Sequence, residues 1–264
     1  MINNVFFIGV DPVIFKIGPL TVSWYGVLIA LAVVTVLAWM VWQNSKTHAI
    51  KTEALFMAAL VGIPSGVIFS KLLHVIDNWN YYVLFPCKIF SGEGLAIWGA
   101  VLGATLGIWA YSRISHQFRF TLFGDMIAPG IILAQAIGRV GCTLNGCCYG
   151  IESTSPISIV YTSPNSYGPT GIPVLPTQVM EIVYNLIIFG VLLALRGHFK
   201  KEGTLFYIYL AFYAVWRFGI DFIRDGSPFL FGLHEAQVIS IVVLAITLPL
   251  IFIKNGWVKK GQTS

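Results

Sequence analysis

The chain has 264 residues, of which 57% are hydrophobic and 10% charged, against about 25% charged in an average soluble domain, and its mean hydropathy is +0.81. A single soluble core stops growing near about 250 residues, so this much apolar surface requires lipid as its solvent and excludes an ordinary soluble fold. The net charge of +5 and the pI near 9.0 come from basic residues dispersed along the chain, which argues against nucleic acid as a partner.

Backbone groups in lipid must be hydrogen-bonded within the protein, which leaves helices or closed barrels. The apolar segments are long, continuous and non-alternating, so the expected fold class is all-α, a polytopic integral membrane protein with about seven transmembrane helices. The whole chain, 1–264, reads as one transmembrane domain with outer-face loops at about 77–92 and 138–176. Four cysteines are too few for a disulfide scaffold, and the adjacent pair Cys147 and Cys148 fits no tetrahedral zinc motif. They read as buried or structural thiols, and no metal is expected.

The first twenty residues carry Asp11, Pro12 and Pro19 and lack a basic start, so no cleavable signal peptide is expected and the first hydrophobic helix is retained. Span one runs from Val22 to Trp42, with Trp24 and Tyr25 just inside the outer interface as aromatic-belt anchors. Span two, Ala54 to Val75, carries Lys71 and His74 near its outer end. The stretch Asp77 to Gly92 is rich in tyrosine and tryptophan and reads as an outer loop lying in the interface. Span three follows from Leu95 to Tyr111.

Span four, Leu122 to Ile137, is short and closes on Gly138-Arg139-Val140-Gly141-Cys142-Thr143-Leu144-Asn145-Gly146-Cys147-Cys148-Tyr149-Gly150. Glycine at this density lets the backbone turn sharply and approach a ligand. Arg139 either grips a phosphate with paired donors or pairs with an acidic neighbour in a re-entrant loop. The stretch Ile151 to Pro176, with five prolines and two glycines, reads as an outer loop with little regular structure.

Span five runs from Thr177 to Leu195. Behind Pro176-Thr177-Gln178, Glu181 suits the helix dipole as readily as it suits a site. In span six, Thr204 to Ile223, Tyr213, Arg217, Asp221 and Arg224 recur at spacings of four, four and three and so share one helical face. Within a membrane that face must meet the bundle interior or water. Either Arg217 and Asp221 pair structurally, or the positive charge left over, added to Arg139, awaits an anionic headgroup. Span seven is Ala236 to Ile253, preceded by His234, which like His74 shows no partner in sequence.

Short loops rich in Lys and Arg stay cytoplasmic. Lys46 and Lys51, Arg113 and Arg119, Arg196, Lys200 and Lys201, and Lys254, Lys259 and Lys260 follow spans one, three, five and seven. These ten of sixteen basic residues put the N-terminus outside and the C-terminus in the cytoplasm. Lys16, Lys71, Lys88, Arg139, Arg217 and Arg224 fall at or near the other face. A cation at helix depth costs at least about 2.5 kcal/mol to insert, so these ask for a functional reason.

The Gly-Arg-Val-Gly and Asn-Gly core at 138–146, ending at Gly150, resembles the signature of bacterial prolipoprotein diacylglyceryl transferases. Ser23-Trp24-Tyr25-Gly26, Gly92 to Ala100, Pro176-Thr177-Gln178 with Glu181, Tyr213 through Arg224, and Ala236-Gln237 with Ser240 agree in order and approximate spacing. The resemblance covers almost the entire chain.

It implies a multi-pass transferase of the bacterial plasma (inner) membrane, with its active site toward the outer face and a role in lipoprotein biosynthesis. The diacylglyceryl group of phosphatidylglycerol would pass to the lipobox cysteine thiol of a prolipoprotein signal peptide, forming a thioether and releasing glycerol phosphate. The partners implied are phosphatidylglycerol, the prolipoprotein and membrane lipids, with no cofactor. By the same resemblance Arg139, Arg217, Tyr25 and Asn145 are catalytic, and Gly150, Lys71, Trp98, Glu181, Tyr213, Asp221 and Arg224 bind substrate.

Several positions depart from the family pattern. Lys71 stands where an arginine is expected, keeping the charge without the bidentate fork. Trp98 stands where many members carry histidine, Cys142 replaces a common asparagine, and Cys147 and Cys148 replace an acidic and an apolar residue. The cysteines motivate an alternative, a membrane thiol oxidoreductase using Cys142, Cys147 and Cys148; a further one is a non-catalytic binder of anionic lipid.

Overall fold

The computed structural model describes residues 5–18, 20–90, 94, 96–226, 229–230 and 232–254. Of the positions singled out above, Pro19, Gly92, Leu95, Lys259 and Lys260 lie outside the described residues. The chain divides into two compact units: Met40–Phe123, and the residues up to Trp39 together with those from Gly124 onward.

In chain order, β1 is Phe6–Ile8, β2 Val13–Ile17 and β3 Leu20–Ser23; helix α1 spans Trp24–Thr47, α2 Thr52–Asp77, α3 Trp79–Leu84, and a 3-10 turn covers Pro86–Phe90. Then come α4 (Ile97–Ser115), α5 (Phe120–Asn145), β4 (Ile159–Tyr161), β5 (Pro173–Val174), α6 (Thr177–Leu195), α7 (Thr204–Ile220) and α8 (Glu235–Lys254). Among the described residues five helices, α1, α2, α5, α6 and α8, are long and apolar enough to cross a membrane. The helix α4 falls outside that set, and α7 has only 17 residues. Their outward side chains are apolar, as lipid-facing surfaces must be: Val34 on α1, Ile68 on α2 and Phe252 on α8 are exposed.

The all-helical expectation holds for the spans and is modified between them. Strands β2 and β3 form an antiparallel hairpin ahead of α1. The proline-rich stretch expected to lack regular structure contributes β4 and β5, which join β1 in a three-stranded sheet of order β1-β4-β5. Strand β1 pairs parallel to β4, Phe6 facing Ile159 and Ile8 facing Tyr161. Pro173 begins β5, an edge strand, where a missing N–H is tolerated. Buried Ile159, Tyr161 and Val174, with Ile8 and Tyr149 against them, give this sheet its own small core. The expected loop at 77–92 likewise contains α3 and the 3-10 turn, with Trp79, Leu84 and Phe85 exposed.

In the Met40–Phe123 unit, α2 and α4 pack on small residues. A Cβ added at Gly99 would lie 2.8 Å from Ser70 Cα, and one at Gly103 would lie 2.5 Å from Ser65 O. Helices in lipid gain little by hiding apolar surface from one another, so this backbone contact is what drives their packing.

In the other unit, α6 shows how the site is placed. Its buried stripe is Thr177, Gln178, Glu181, Asn185, Ile188 and Leu192, a single helical face. The N-terminal half of that face is polar and the rest apolar. The apolar half meets Ala128 and Ile132 of α5 and Leu205 and Tyr209 of α7 in a continuous core. Asp125 accepts from Gly203 N at 2.6 Å and Phe206 N at 2.8 Å, satisfying donors that the start of α7 would otherwise leave unpaired. The polar halves of the stripes therefore come together at the other end of α5, α6 and α7.

Candidate active site

The helix α5 continues through Asn145, about two turns beyond the expected stop at Ile137. Arg139 and Cys142 are thus helical residues, not parts of a loop. Helices α1 and α5 lie close because Gly141 has no side chain: a Cβ there would be 3.3 Å from Leu28 Cβ and 3.5 Å from Tyr25 Cα. This brings Tyr25 beside the end of α5. Farther along, Trp39 Nε1 donates to Met126 O at 3.1 Å.

Arg139 Nε meets Glu181 Oε1 at 2.9 Å, both side chains being largely buried. Glu181 is therefore the acidic partner of Arg139, and no side-chain cap closes the start of α6. Tyr213 lies within electrostatic range of Arg139, Arg217 and Glu181. Arg217 Nη2 meets Asp221 Oδ1 at 3.1 Å, while its Nη1 is buried with no hydrogen-bond partner. His234 Nδ1 hydrogen-bonds the backbone O of Asp221 at 3.1 Å and lies 3.2 Å from its Oδ2, and Gln237 Oε1 accepts from His234 N at 2.9 Å. Asp221 thus sits between an arginine and a histidine.

The expected helical stripe in span six is cut short. Helix α7 ends at Ile220, so Asp221 caps it and Arg224 lies beyond, bridged across the backbone to Gly150. That bridge requires glycine, since a Cβ at 150 would lie 2.6 Å from Ile223 O and 2.8 Å from Leu175 Cβ. The charge balance changes as well. Counting Glu181, three guanidiniums face two carboxylates, and the group keeps one positive charge in surplus instead of two.

The chain leaves α5 through Gly146, whose φ of +77° gives the left-handed cap common at helix ends. Cys147 N then donates back to Cys142 O at 3.2 Å, and Cys148 takes a left-handed φ of +66° unusual for a non-glycine residue. The result brings the sulfurs of Cys142, Cys147 and Cys148 within 4.8 Å of one another. All three are free thiols. Asn145, the last residue of α5, accepts from Tyr167 N through its backbone O at 3.1 Å, and Cys147 Sγ donates to Cys142 O at 3.9 Å.

The α6 start clamps this turn. Gln178 Nε2 donates to Cys147 O at 2.7 Å and to Tyr161 Oη at 3.2 Å, and Thr177 Oγ1 donates to Cys148 O at 2.7 Å. Burial pushes the Tyr161 phenol above its ordinary range, which keeps it protonated. The motif Pro176-Thr177-Gln178 does not by itself reveal this task for Thr177 and Gln178, nor does the sequence show a partner for His234. No local signal marks either, because the groups they bind are far along the chain.

An apolar groove of about 710 Å³ is lined among others by Ile159, Met180, Val183, Tyr184 and Trp216. Tyr184 and Trp216 stack with ring centres 4.2 Å apart at its wall. Trp216 immediately precedes Arg217, so the groove and the cationic group share α7.

Lys71 and Trp98 belong to the Met40–Phe123 unit. Lys71 Nζ lies 3.4 Å from Tyr82 Oη and 5.3 Å from that ring's centre, and His74 meets the same ring edge-on at 5.9 Å. Trp98 lies in the first turn of α4, half-buried.

Residues 12–253 match the family described as prolipoprotein diacylglyceryl transferase. A phosphatidylglycerol–prolipoprotein diacylglyceryl transferase of Dehalococcoides mccartyi is 48% identical over 92% of this chain and 94% of its own length. Another, from Clostridium novyi, is 34% identical over 93% of this chain and 96% of its own. A third, from Corynebacterium efficiens, is 33% identical over 92% of this chain and 80% of its own.

Proposed function

The chain belongs to the prolipoprotein diacylglyceryl transferase family, and we propose that it performs the transfer with Arg139 and Arg217 as the cations that hold the lipid phosphate. Phosphatidylglycerol is the donor and the lipobox cysteine of a prolipoprotein signal peptide the acceptor. The thiol sulfur attacks the glycerol carbon bearing the phosphate. That carbon–oxygen bond breaks, glycerol phosphate leaves with the electron pair, and the thiol proton is lost to the medium. A thioether-linked diacylglyceryl protein is the product.

The observation that carries this reading is the buried, unpartnered Nη1 of Arg217. A donor in that state costs free energy unless an acceptor reaches it, and a phosphate oxygen is such an acceptor. Charge developing on the leaving phosphate is stabilised most by fixed donors in a water-poor site. Glu181 holds Arg139 in place; Asp221, backed by His234, holds Arg217. Surplus positive charge also favours the thiolate of the incoming cysteine, whose free pKa is about 8.5.

In this reading Tyr25 and Asn145 act at the end of α5, Gly150 keeps Arg224 within the cationic group, and Lys71 and Trp98 are further substrate-binding positions. The apolar groove accepts an acyl chain. The chain acts as one transmembrane domain that crosses the inner membrane seven times, α4 and α7 included, with the N-terminus and the site outside.

Incubating the purified protein with phosphatidylglycerol and a lipobox peptide tests the proposal. Thioether-linked product with matching glycerol phosphate release is expected, and each of Arg139→Ala and Arg217→Ala should lower kcat/KM by about 10²- to 10³-fold, as loss of a charge-stabilising donor does. No thioether product from the intact protein would overturn it. Bound phosphatidylglycerol without released glycerol phosphate would favour the lipid binder. Full transfer by a protein with Cys142, Cys147 and Cys148 all changed to serine would eliminate the thiol oxidoreductase.

A further inference from the structure

The proposed transfer makes no use of Cys142, Cys147 or Cys148, whose spacing in sequence fits no tetrahedral zinc motif. We propose that these three thiols form a site for a soft, low-coordinate d10 cation of the Cu(I) class. The binding does not depend on the transferase reading.

Donor identity and spacing carry the inference. The three sulfurs lie within 4.8 Å of one another, and among the described residues no histidine, aspartate or glutamate joins the group. A metal–thiolate bond is about 2.3 Å, so three sulfurs around one ion stand about 4 Å apart in a trigonal plane. Closing from the present spacing needs shifts below about 1 Å, within rotation of the cysteine side chains about χ1. Soft thiolates select soft ions, and a set of sulfurs without a hard oxygen donor disfavours Mg²⁺, Ca²⁺ or Mn²⁺. Three sulfurs fall short of the four protein ligands of a structural zinc site. Cu(I) needs no fourth.

The site is also built in advance of any ligand. Gln178 and Thr177 fasten the carbonyls of Cys147 and Cys148, and Cys148 is held in a left-handed conformation that a free turn would leave to glycine. Arg139 Nη1 donates to Cys142 Sγ at 3.8 Å, which helps to fix the orientation of that sulfur. Cys142 is buried while Cys147 and Cys148 are half-buried, which leaves a face open to an arriving ion.

The test is a titration of the full chain in detergent, reduced and anaerobic, with Cu(I) supplied from a bicinchoninate complex whose colour reports its loss. One ion per chain is expected, with X-ray absorption showing only sulfur neighbours, at about 2.3 Å. Cys142→Ser, Cys147→Ser and Cys148→Ser should each weaken binding at least about tenfold, whereas Cys87→Ser, at the exposed fourth cysteine, should leave it unchanged. Where a serine variant misfolds by circular dichroism, the intact chain decides: Cu(I) should protect all but one of its four thiols from N-ethylmaleimide, counted by mass. Failure to draw Cu(I) from the chelator would overturn the proposal. So would affinity that follows Cys87, nitrogen or oxygen neighbours in place of sulfur, or disulfide formation without a retained ion.

Discussion

Glu181 illustrates how one side chain settles the character of its surroundings. Its carboxylate sits 2.9 Å from Arg139 Nε, which neutralises that charge and aims the guanidinium. Glu181→Ala would strand a buried cation, costing about 3–5 kcal/mol, whereas Glu181→Gln retains an acceptor. Thermal unfolding in detergent should therefore rank wild type above Glu181→Gln above Glu181→Ala, with the same ranking in kcat. Gly150 is constrained differently, by space. Gly150→Ala places a methyl against Ile223 O and Leu175, an overpacking worth about 1–3 kcal/mol. It should lower the melting temperature and, by displacing Arg224, raise KM for phosphatidylglycerol in the peptide assay.

The end of α5 and the start of α6 form the element on which the site turns. Helix α5 outruns its expected end because glycine, unfavourable by about 1 kcal/mol in a helix, is tolerated where α1 must come close. Periodicity alone could not reveal that: the same glycines read locally as a turn. The sharp reversal at Gly146 is then secured by Gln178, which binds both Cys147 O and Tyr161 Oη and so couples the cysteine turn to the small sheet. Gln178→Ala leaves those buried groups unpaired at about 1–3 kcal/mol. Hydrogen exchange should rise across residues 146–161, with little change in the α2 and α4 helices; uniform acceleration throughout the chain would contradict a local clamp.

Across the whole molecule, the proposed topology puts the 3-10 turn that carries Cys87 on the outer face. Cys87 is exposed and is the only cysteine outside the sulfur cluster. In a variant with Cys142, Cys147 and Cys148 changed to serine, a membrane-impermeant maleimide should label it in cells with an intact inner membrane. Labelling only after lysis would reverse the proposed orientation. The membrane class, the main apolar segments and the family motifs were legible in the sequence, because hydropathy sums along the chain and motifs keep their order whatever the packing. Arg139, Arg217 and Arg224 stood out for the same reason, as cations that topology left unexplained. What their charges do was decided only in three dimensions: Glu181 reaches Arg139, His234 reaches Asp221, Arg224 leaves its helical stripe for Gly150, and three thiols converge. Hydrogen bonds and ion pairs act over a few ångströms. Helix packing decides which distant residues come that close, and local sequence carries no record of that distance.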